Sequence, residues 1–525
     1  MTNGIYRINT RFVVTFSYRC KNRKEYQSIC KRIDNLQKHF DKDINVWVPI
    51  DYSDLQNELY SHVQLFVCSD QESTKESLGR AWVSNKELKR HYSLKGTCEI
   101  KDLEHSFLIN SSGLFLFKTG IGIFWFEIDY ADNQIEDIIR MNYNIKNISY
   151  SQCVPNLTRI AKETLEIFCK EEAITNIDKP GSYKIENLPN KFIVINDLPS
   201  SGEITKVIAR HMPGGEKYFA QVTTNDKYSI QQFIDESLEP LEILNYFSER
   251  HSSTTDCKIP DKAYVFTMSI LDQTQALDDD KLRRYLFWLK KGYKPSYLPS
   301  FEHLKDELLQ SFENSYWGAS LEGCANIVCL TGNDETTDAF FKETYWKRRE
   351  IYFYLYVLVL HQFTTLLSIS NKIAKLPIDI KDYQKLSSKE SEDLVQYNGM
   401  VNLFCMKSFY SQVSHISHQN EYYNYLIKQF GIRTSIKDMQ DSLLIVNQLV
   451  QNARAANRSE KWRIFAILGG LFVLIQTISS ILTIYFMNIQ GVSERFSIGF
   501  FTISIMIISS FIGLIAWMIS RISKK

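Results

Sequence analysis

A line of polar side chains runs through an otherwise apolar segment near the end of the chain. Gln476, Ser479 and Thr483 recur at three- and four-residue spacing, which places them on one face of a helix. The same face continues in three apolar side chains, Phe472, Leu468 and Phe465. Polar groups at membrane depth usually face protein or a water-filled cavity, and apolar rings can gate by dewetting. We expect this face to line a pore or a helix contact, whereas Thr477 and Ser480 lie off it and can bond back to their own helix.

The segment NSYWGASLEGCANIVCLTGND at 314–334 has the composition of a small-ligand pocket. Trp317 offers a flat face for a base, Glu322 and Asn326 offer hydrogen-bonding groups, and the glycines permit close approach. The alternative, which the sequence favours equally, is a helix packed below a loop.

Two charged pairs are further binding candidates. Arg348 and Arg349 can meet a phosphate, although such runs are more often solvated helix faces. Asp438 and Asp441 can hold a divalent cation such as Mg²⁺ between subunits, although exposed carboxylates are the commoner case. The sequence has no Walker motif, no dinucleotide fingerprint and no convincing nucleophile with a base. We therefore expect no enzymatic activity and no certain cofactor.

Two uncharged segments are long enough to position a pore in a bilayer. Residues 464–487 and 496–520 contain 24 and 25 residues without a formal charge, and about 20 suffice for a helical span. The flanking basic residues are Arg454, Arg458, Lys461 and Arg463 before the first, and Arg521, Lys524 and Lys525 after the second. The loop between them carries only Arg495, beside Glu494. The positive-inside rule then predicts a multi-pass protein of the cell inner membrane with both termini cytoplasmic.

The apolar segment 351–370 competes for a third span. It contains His361, Gln362 and several hydroxyls, and charged helical sequence flanks it on both sides. We therefore interpret it as the buried middle of a long cytosolic helix.

The preceding residues predict an α/β or α+β cytosolic domain over 1–335. Expected strands are RFVVTFS at 11–17, HVQLFVC at 62–68, the hairpin LFLFKTGIGIFWFEI at 114–128, FIVIN at 192–196 and AYVFTMSI at 263–270. Expected helices lie around 155–172 and 229–250. Formal net charge is only +1 and no basic stripe with aromatics occurs, so nucleic-acid binding is not expected.

Long helices are predicted from 336 onwards, at 336–376, 386–428 and 433–487. The breaks fall at Pro377 and Gly431. In the third helix, apolar residues recur at 3-4 spacing: Ile436, Met439, Leu443, Val446, Val450 and Ala453. Such a seam is buried by neighbouring copies, which predicts a homo-oligomer. We therefore divide the chain into 1–335, a helical hairpin and stalk at 336–462, and a transmembrane domain at 463–525.

The segment YFMNIQGVSE at 485–494 follows the first predicted span. It resembles the outer-mouth loop of the CorA family of divalent-cation channels, where a Tyr-Gly-Met-Asn core precedes a short loop that often ends in Pro-Glu. Met487 and Asn488 match this pattern. Phe486 replaces the glycine, and Ser493 stands where proline is common.

The predicted architecture over 336–525 resembles the same family. The resemblance implies a funnel-shaped homopentamer in which Asn488 rings the outer mouth and the polar face lines the pore. Since Phe486 replaces the glycine of the tight turn, selective magnesium transport is not expected.

With its enlarged cytosolic domain and weakened motif, the chain is similar to a divergent CorA-like branch associated with type III CRISPR systems. That branch implies an antiviral effector. A nucleotide second messenger made from ATP and S-adenosylmethionine binds its cytosolic domain, and the effector then disrupts the membrane. A constitutive divalent-cation transporter and a membrane-tethered adaptor without a pore are the alternatives.

Overall fold

The structure is a computed structural model. It describes most residues up to 374 and those from 409 to 441, which together we call the body, and scattered positions elsewhere. The described residues are 5–18, 20, 23–36, 45–50, 57–64, 66, 77–86, 92–100, 103–131, 134–148, 156–161, 165–170, 182–184, 192–194, 204–211, 217–224, 227–238, 262–272, 279–300, 308–332, 334–374, 399, 402, 404, 409–441 and twelve single positions between 444 and 481. The chain divides into one compact unit of Met1–Ala374 with Met400–Met439, and another of Lys375–Gly399 with Gln440–Lys525.

Strands dominate the first unit. They are β1 (Ile5–Ser17), β2 (Trp47–Pro49), β3 (Gly79–Ser84), β4 (Tyr92–Ile100), β5 (Leu103–Phe117), β6 (Ile121–Tyr130), β7 (Asn156–Ala161), β8 (Leu165–Lys170), β9 (Ser182–Lys184), β10 (Phe192–Val194), β11 (Ile204–His211), β12 (Lys217–Thr224), β13 (Lys227–Tyr228), β14 (Tyr264–Leu271), β15 (Leu308–Phe312), β16 (Ser315–Ser320) and β17 (Gly323–Cys329).

Helices alternate with these strands and then follow them. They are α1 (Arg23–Asp34), α2 (Ser61–Gln64), α3 (Ile135–Lys146), α4 (Ile230–Leu238), α5 (Asp279–Lys291), α6 (Glu335–Ala339), a π-helical turn (Phe340–Tyr345), α7 (Arg349–Ala374) and α8 (Ser417–Gln429). A further helical run occupies 432–441.

A twelve-stranded sheet organises this unit, in the order β13-β7-β4-β5-β6-β1-β14-β17-β16-β15, with β3 pairing β5 and β2 pairing β3. Strands β14 and β17 run parallel, and the other described pairs of this sheet are antiparallel. The remaining strands form a five-stranded sheet in the order β11-β12-β8-β10-β9.

The centre of the large sheet is buried on both faces, as the nearly continuous runs of buried residues in β1, β6 and β14 show. Helices α1, α3 and α4 contribute to one apolar cluster with Phe12, Phe124 and Phe126. On the opposite face the ring of Phe353 in α7 lies 5.5 Å from Trp125 and 5.2 Å from Phe266. The sheet is therefore covered by helices on both sides.

Several predicted elements are confirmed. Strand β1 contains 11–17, β14 contains most of 263–270, and the 114–128 hairpin turns at Gly120, whose φ is +82°. Strand β10 and helix α4 fall within the segments predicted at 192 and 229. The segment 351–370 is helical within α7, as predicted.

Of the described helices, α7 is the one that is long and apolar enough to cross a bilayer. The window Arg349–Asn371 has a mean hydropathy of 1.4, and 72% of it is buried inside the protein. Burial of this extent is also typical of the core helix of a globular body. The prediction that 351–370 is a buried helix is therefore confirmed.

Two predictions for residues 1–335 are wrong. The helix expected around 155–172 is replaced by β7 and β8, because each strand finds partners on both sides: β7 between β4 and β13, and β8 between β12 and β10. The strand expected at 62–68 begins instead as α2. The carbonyl of Val63 there accepts a hydrogen bond from Tyr354, so α2 is tied to α7 rather than to a sheet.

The predicted helix at 386–428 is wrong over 409–416, where the chain is irregular before α8. Ser414 forms a β-bridge with Leu59, and the side chain of Asn420 accepts hydrogen bonds from the amides of Val413 and Ser414. Such side-chain bonds to the backbone compete with helix formation. The break at Pro377 lies outside the described residues, as does the predicted span at 496–520.

Candidate functional site

The predicted ligand segment 314–334 is mainly a β-hairpin. Strands β16 and β17 pair in antiparallel register, with Trp317 directly opposite Asn326. The alternative of a helix below a loop is therefore wrong. Cross-strand partners share one face of a sheet, so the structure brings these two predicted residues together.

Contacts within the protein already use both side chains. Trp317 is 2% exposed, and its indole nitrogen donates to the hydroxyl of Tyr345 over 3.2 Å. The ring of Tyr422 lies 4.3 Å from that of Trp317. The amide of Asn326 donates to Ser315 over 3.0 Å. Burial raises the pKa of Tyr345 to about 12, so its hydroxyl stays neutral in this network.

Glu322 has a different environment in the turn of the hairpin. Its carboxylate contacts the ammonium group of Lys146 and accepts a hydrogen bond from the hydroxyl of Tyr293. Lys146 is buried, which lowers its pKa against the opposing effect of Glu322. The hydrogen bond to Glu322 raises the pKa of Tyr293 to about 12. Glu322 thus compensates a buried cation at the end of α3.

Arg348 and Arg349 lie where α7 begins. The Nε atom of Arg348 is 3.2 Å from a carboxylate oxygen of Glu58. The guanidinium of Arg349 lies over the ring of Trp346, and one of its nitrogens donates to that residue's carbonyl over 3.3 Å. The five predicted ligand residues therefore occupy three places: the hairpin pair, its turn and the start of α7.

The two proposed metal ligands, Asp438 and Asp441, are exposed on the helical run 432–441. Within the described part of the chain, no group of three or more His, Cys, Asp or Glu side chains is arranged to hold a metal ion. A site completed by other copies of the chain stays a prediction.

The predicted pore residues, Asn488, Thr483, Ser479, Gln476, Phe472, Leu468 and Phe465, lie outside the described residues. Ten neighbouring positions between 466 and 481 are described, and all are helical. At Thr477 the hydroxyl donates to the carbonyl of Val473 over 2.8 Å, so its predicted back-bonding is confirmed.

Two adjoining cavities lie where α8 gives way to the helical run 432–441. They have volumes of about 330 Å³ and 540 Å³ and share the lining residues Ser411, Ile427 and Arg433. The smaller one is also lined by Phe409, Tyr410, Tyr423 and Ile436. The larger one is also lined by Asn424, Lys428, Gly431 and Thr434. Both volumes are in the range of small-molecule sites.

The two cavities lie at this position because helix α8 ends here. Gly431 has a φ of +61°, and its amide donates to the carbonyl of Lys428 over 3.1 Å, which ends α8 in a left-handed cap. The next helical run starts at once, and the amide of Ser435 donates to the carbonyl of Gly431 over 2.9 Å. The cavities therefore contain groups from both sides of one helix break.

The two cavities differ in chemistry. The smaller is mainly aromatic and apolar, and the larger carries amide, hydroxyl and cationic groups. Arg433 donates to the side chain of Asn424 over 3.2 Å, and neither Arg433 nor Lys428 forms an ion pair with a described carboxylate. No acidic side chain is among the described residues that line either cavity. An aromatic half beside a cationic half suits a flat ring that carries an anionic group.

Sequence reasoning missed these residues. Tyr410, Tyr423 and Arg433 are separated by thirteen and ten positions, and no spacing rule connects them. The available signal was local: Gly431 was identified as a helix break, and Arg433 follows it closely in the sequence.

Comparison with protein families and with functionally curated proteins gives no match to this chain.

Proposed function

We propose that this chain is a ligand-gated membrane effector with a CorA-like architecture, in which a nucleotide bound to the body opens the membrane domain. The ligand class implied by the resemblance is a conjugate of S-adenosylmethionine and AMP, and the role implied is antiviral defence with a type III CRISPR system. The partners of the chain are further copies of itself, five in total as the CorA resemblance implies, and the lipid bilayer.

One observation carries the membrane part of this proposal. Large apolar side chains are exposed at helical spacing beyond the body, by between 49% and 61%: Ile467, Val473, Leu474, Ile478 and Ile481. Soluble surfaces rarely present such a stripe without a partner. Lipid or neighbouring copies of the chain would cover it, in agreement with the uncharged segment 464–487.

The gating part is supported by the position of the cavities. A ligand shifts an equilibrium only through different affinities for two states. Groups from both sides of the Gly431 break line the larger cavity, so a ligand held there would sense the angle between α8 and the run at 432–441. The predicted stalk continues from this run toward the membrane segment.

Leakage from proteoliposomes tests the proposal. Full-length protein in vesicles filled with a self-quenching dye should release the dye when the conjugate is added, and not when ATP or S-adenosylmethionine is added alone. A Gly-Gly insertion after Ala455, in the predicted stalk, should abolish leakage while binding in the body is unchanged. Equal leakage with and without ligand would contradict gating.

A constitutive divalent-cation transporter is the second candidate, and the match at Met487 and Asn488 favours it. Growth of a magnesium-uptake-deficient bacterium separates the two. Because Phe486 replaces the glycine of the turn, we expect this protein not to restore growth at low magnesium. Efficient rescue would favour the transporter.

A further inference from the structure

We propose that the two cavities around Arg433 are a single nucleotide site, in which the base lies in the smaller cavity and the phosphate in the larger one. This inference rests on the proposed function for its ligand class, and it deepens that proposal by assigning the residues that recognise the ligand. None of these residues belongs to the five selected from the sequence.

The aromatic half can hold a base. Phe409 and Tyr410 are half-buried and share the lining with the buried side chains of Tyr423 and Ile427. The hydroxyl of Tyr423 accepts a hydrogen bond from Gln362 of α7 over 3.1 Å, which fixes the ring in place. Aromatic rings of this kind can bind any base through stacking.

The polar half can hold a phosphate. Arg433 and Lys428 are exposed cations on opposite sides of Gly431. Among the described residues Arg433 donates one side-chain hydrogen bond, to Asn424, and a guanidinium has further N–H groups that can bind a ligand. The hydroxyls of Ser411 and Thr434 are additional donors. An anion between the two cations would tie α8 to the following helical run, and so would favour one angle at the break.

Binding by the purified full-length protein in detergent, without lipid, tests the assignment. Isothermal titration with the S-adenosylmethionine–AMP conjugate, and with ATP as a simpler probe, gives the reference affinities. Arg433→Gln should weaken binding by about 10- to 100-fold, because it removes a charge-assisted hydrogen bond to phosphate. Lys428→Gln should weaken it less, since an ammonium is a point charge without the planar fork.

Lys437→Gln is the matched control. Lys437 is exposed on the same helical run and lines neither cavity, so its replacement should change affinity by less than about twofold. Photolabelling with 8-azido-ATP provides a second readout, and labelled peptides should map to 409–411 and 423–436. Labels elsewhere would overturn the assignment.

The outcomes separate this site from the proposed function. If the wild-type protein binds the conjugate and leaks, but Arg433→Gln and Lys428→Gln bind equally well, the site is wrong and the function stands. If the wild type binds neither probe, both fail. Phosphate can also come from a lipid headgroup, so the titration is repeated with phosphatidylglycerol. Nucleotide binding that the lipid displaces would assign the two cations to headgroups and overturn the inference.

Discussion

At the scale of single residues, the buried charge of Arg11 is the feature that tolerates substitution least. Arg11 of β1 is 4% exposed and lies between the rings of Trp125 and Phe353, at 4.6 Å and 4.4 Å. Its guanidinium donates to Glu127 over 2.9 Å and to Glu350 over 2.8 Å. These bonds connect two strands of the sheet to the first turn of α7. A buried cation of this kind is tolerated only with both partners present.

Replacing Arg11 by Met should therefore destabilise the first unit by about 3–5 kcal/mol, because the buried carboxylate of Glu127 loses its cationic partner. The midpoint of urea unfolding, followed by tryptophan fluorescence, measures this loss. Arg7→Met is the control, since Arg7 lies on the same strand but is exposed and, among the described residues, donates to a backbone carbonyl, that of Lys342. Similar midpoints for the two variants would show that the cluster does not stabilise the fold.

The same cluster responds to acid. Partial burial favours the neutral form of Glu350, but the attraction of Arg11 outweighs it and lowers the pKa of this carboxyl below 4.5. A lowered folded-state pKa stabilises the protein above the unfolded value, and this contribution disappears as the pH falls through the folded value. Glu350→Gln should therefore lose stability at neutral pH and show a smaller further loss below pH 4.5 than the wild type. An unchanged acid dependence of the unfolding midpoint would contradict this.

His361 predicts a second pH effect. It is fully buried beside Phe66, Phe117 and Phe404, and burial lowers its pKa to about 3. The unfolded chain gains a proton below about 6.5, while the folded protein does not, so stability falls between pH 6.5 and 3 by up to about 1.4 kcal/mol per pH unit.

His361→Phe should remove this slope while keeping the apolar packing, although it loses the hydrogen bond to Thr119. The difference in unfolding free energy between wild type and variant, measured from pH 7 to pH 4.5, isolates the histidine. A constant difference over that range would contradict the assignment.

At the scale of elements, the break between α8 and the helical run 432–441 depends on the backbone conformation of one residue, Gly431. Gly431 combines a left-handed backbone with open space, because no described residue would lie within 4 Å of an added Cβ. A substitution there acts through backbone strain and not through a clash. The backbone conformation at Gly431 therefore sets the free-energy cost of replacing this residue.

Gly431→Ala should cost about 1 kcal/mol, since alanine is disfavoured at positive φ. Gly399 is the matched control: it is helical, and no described residue would lie within 4 Å of an added Cβ there. Gly399→Ala should be neutral or stabilising by up to about 1 kcal/mol. Thermal unfolding of the two variants measures this contrast. A stabilised Gly431→Ala would mean that the left-handed cap is absent in solution.

At the scale of the whole molecule, exposed apolar side chains argue for assembly. The residues Leu444, Ile467, Val473, Leu474, Ile478 and Ile481 are between 49% and 61% exposed in a single chain. Together with Leu443, Val446, Val450 and Ala453 of the predicted seam, they favour a symmetric oligomer in a bilayer.

Mass photometry of the protein in detergent measures the assembly. We expect one dominant species, most simply a pentamer of the 61.4 kDa chain. Leu443→Lys, in the predicted seam, should shift the distribution toward smaller species, because a buried charge without a partner is costly. A monomer at all concentrations would contradict both the effector and the transporter.

The sequence by itself determined the elements whose signals are local. The apolar run at 351–370 could bury itself only as a long helix, TGIG required a turn between two apolar strands, and Gly431 required a helix end. The register of β16 on β17, the strands at 156–170 and the gathering of Tyr410, Tyr423 and Arg433 around one pair of cavities were decided by the tertiary structure. Their physical reason is shared: each depends on hydrogen bonds or packing between residues that are distant in the chain, and local propensity yields to such contacts.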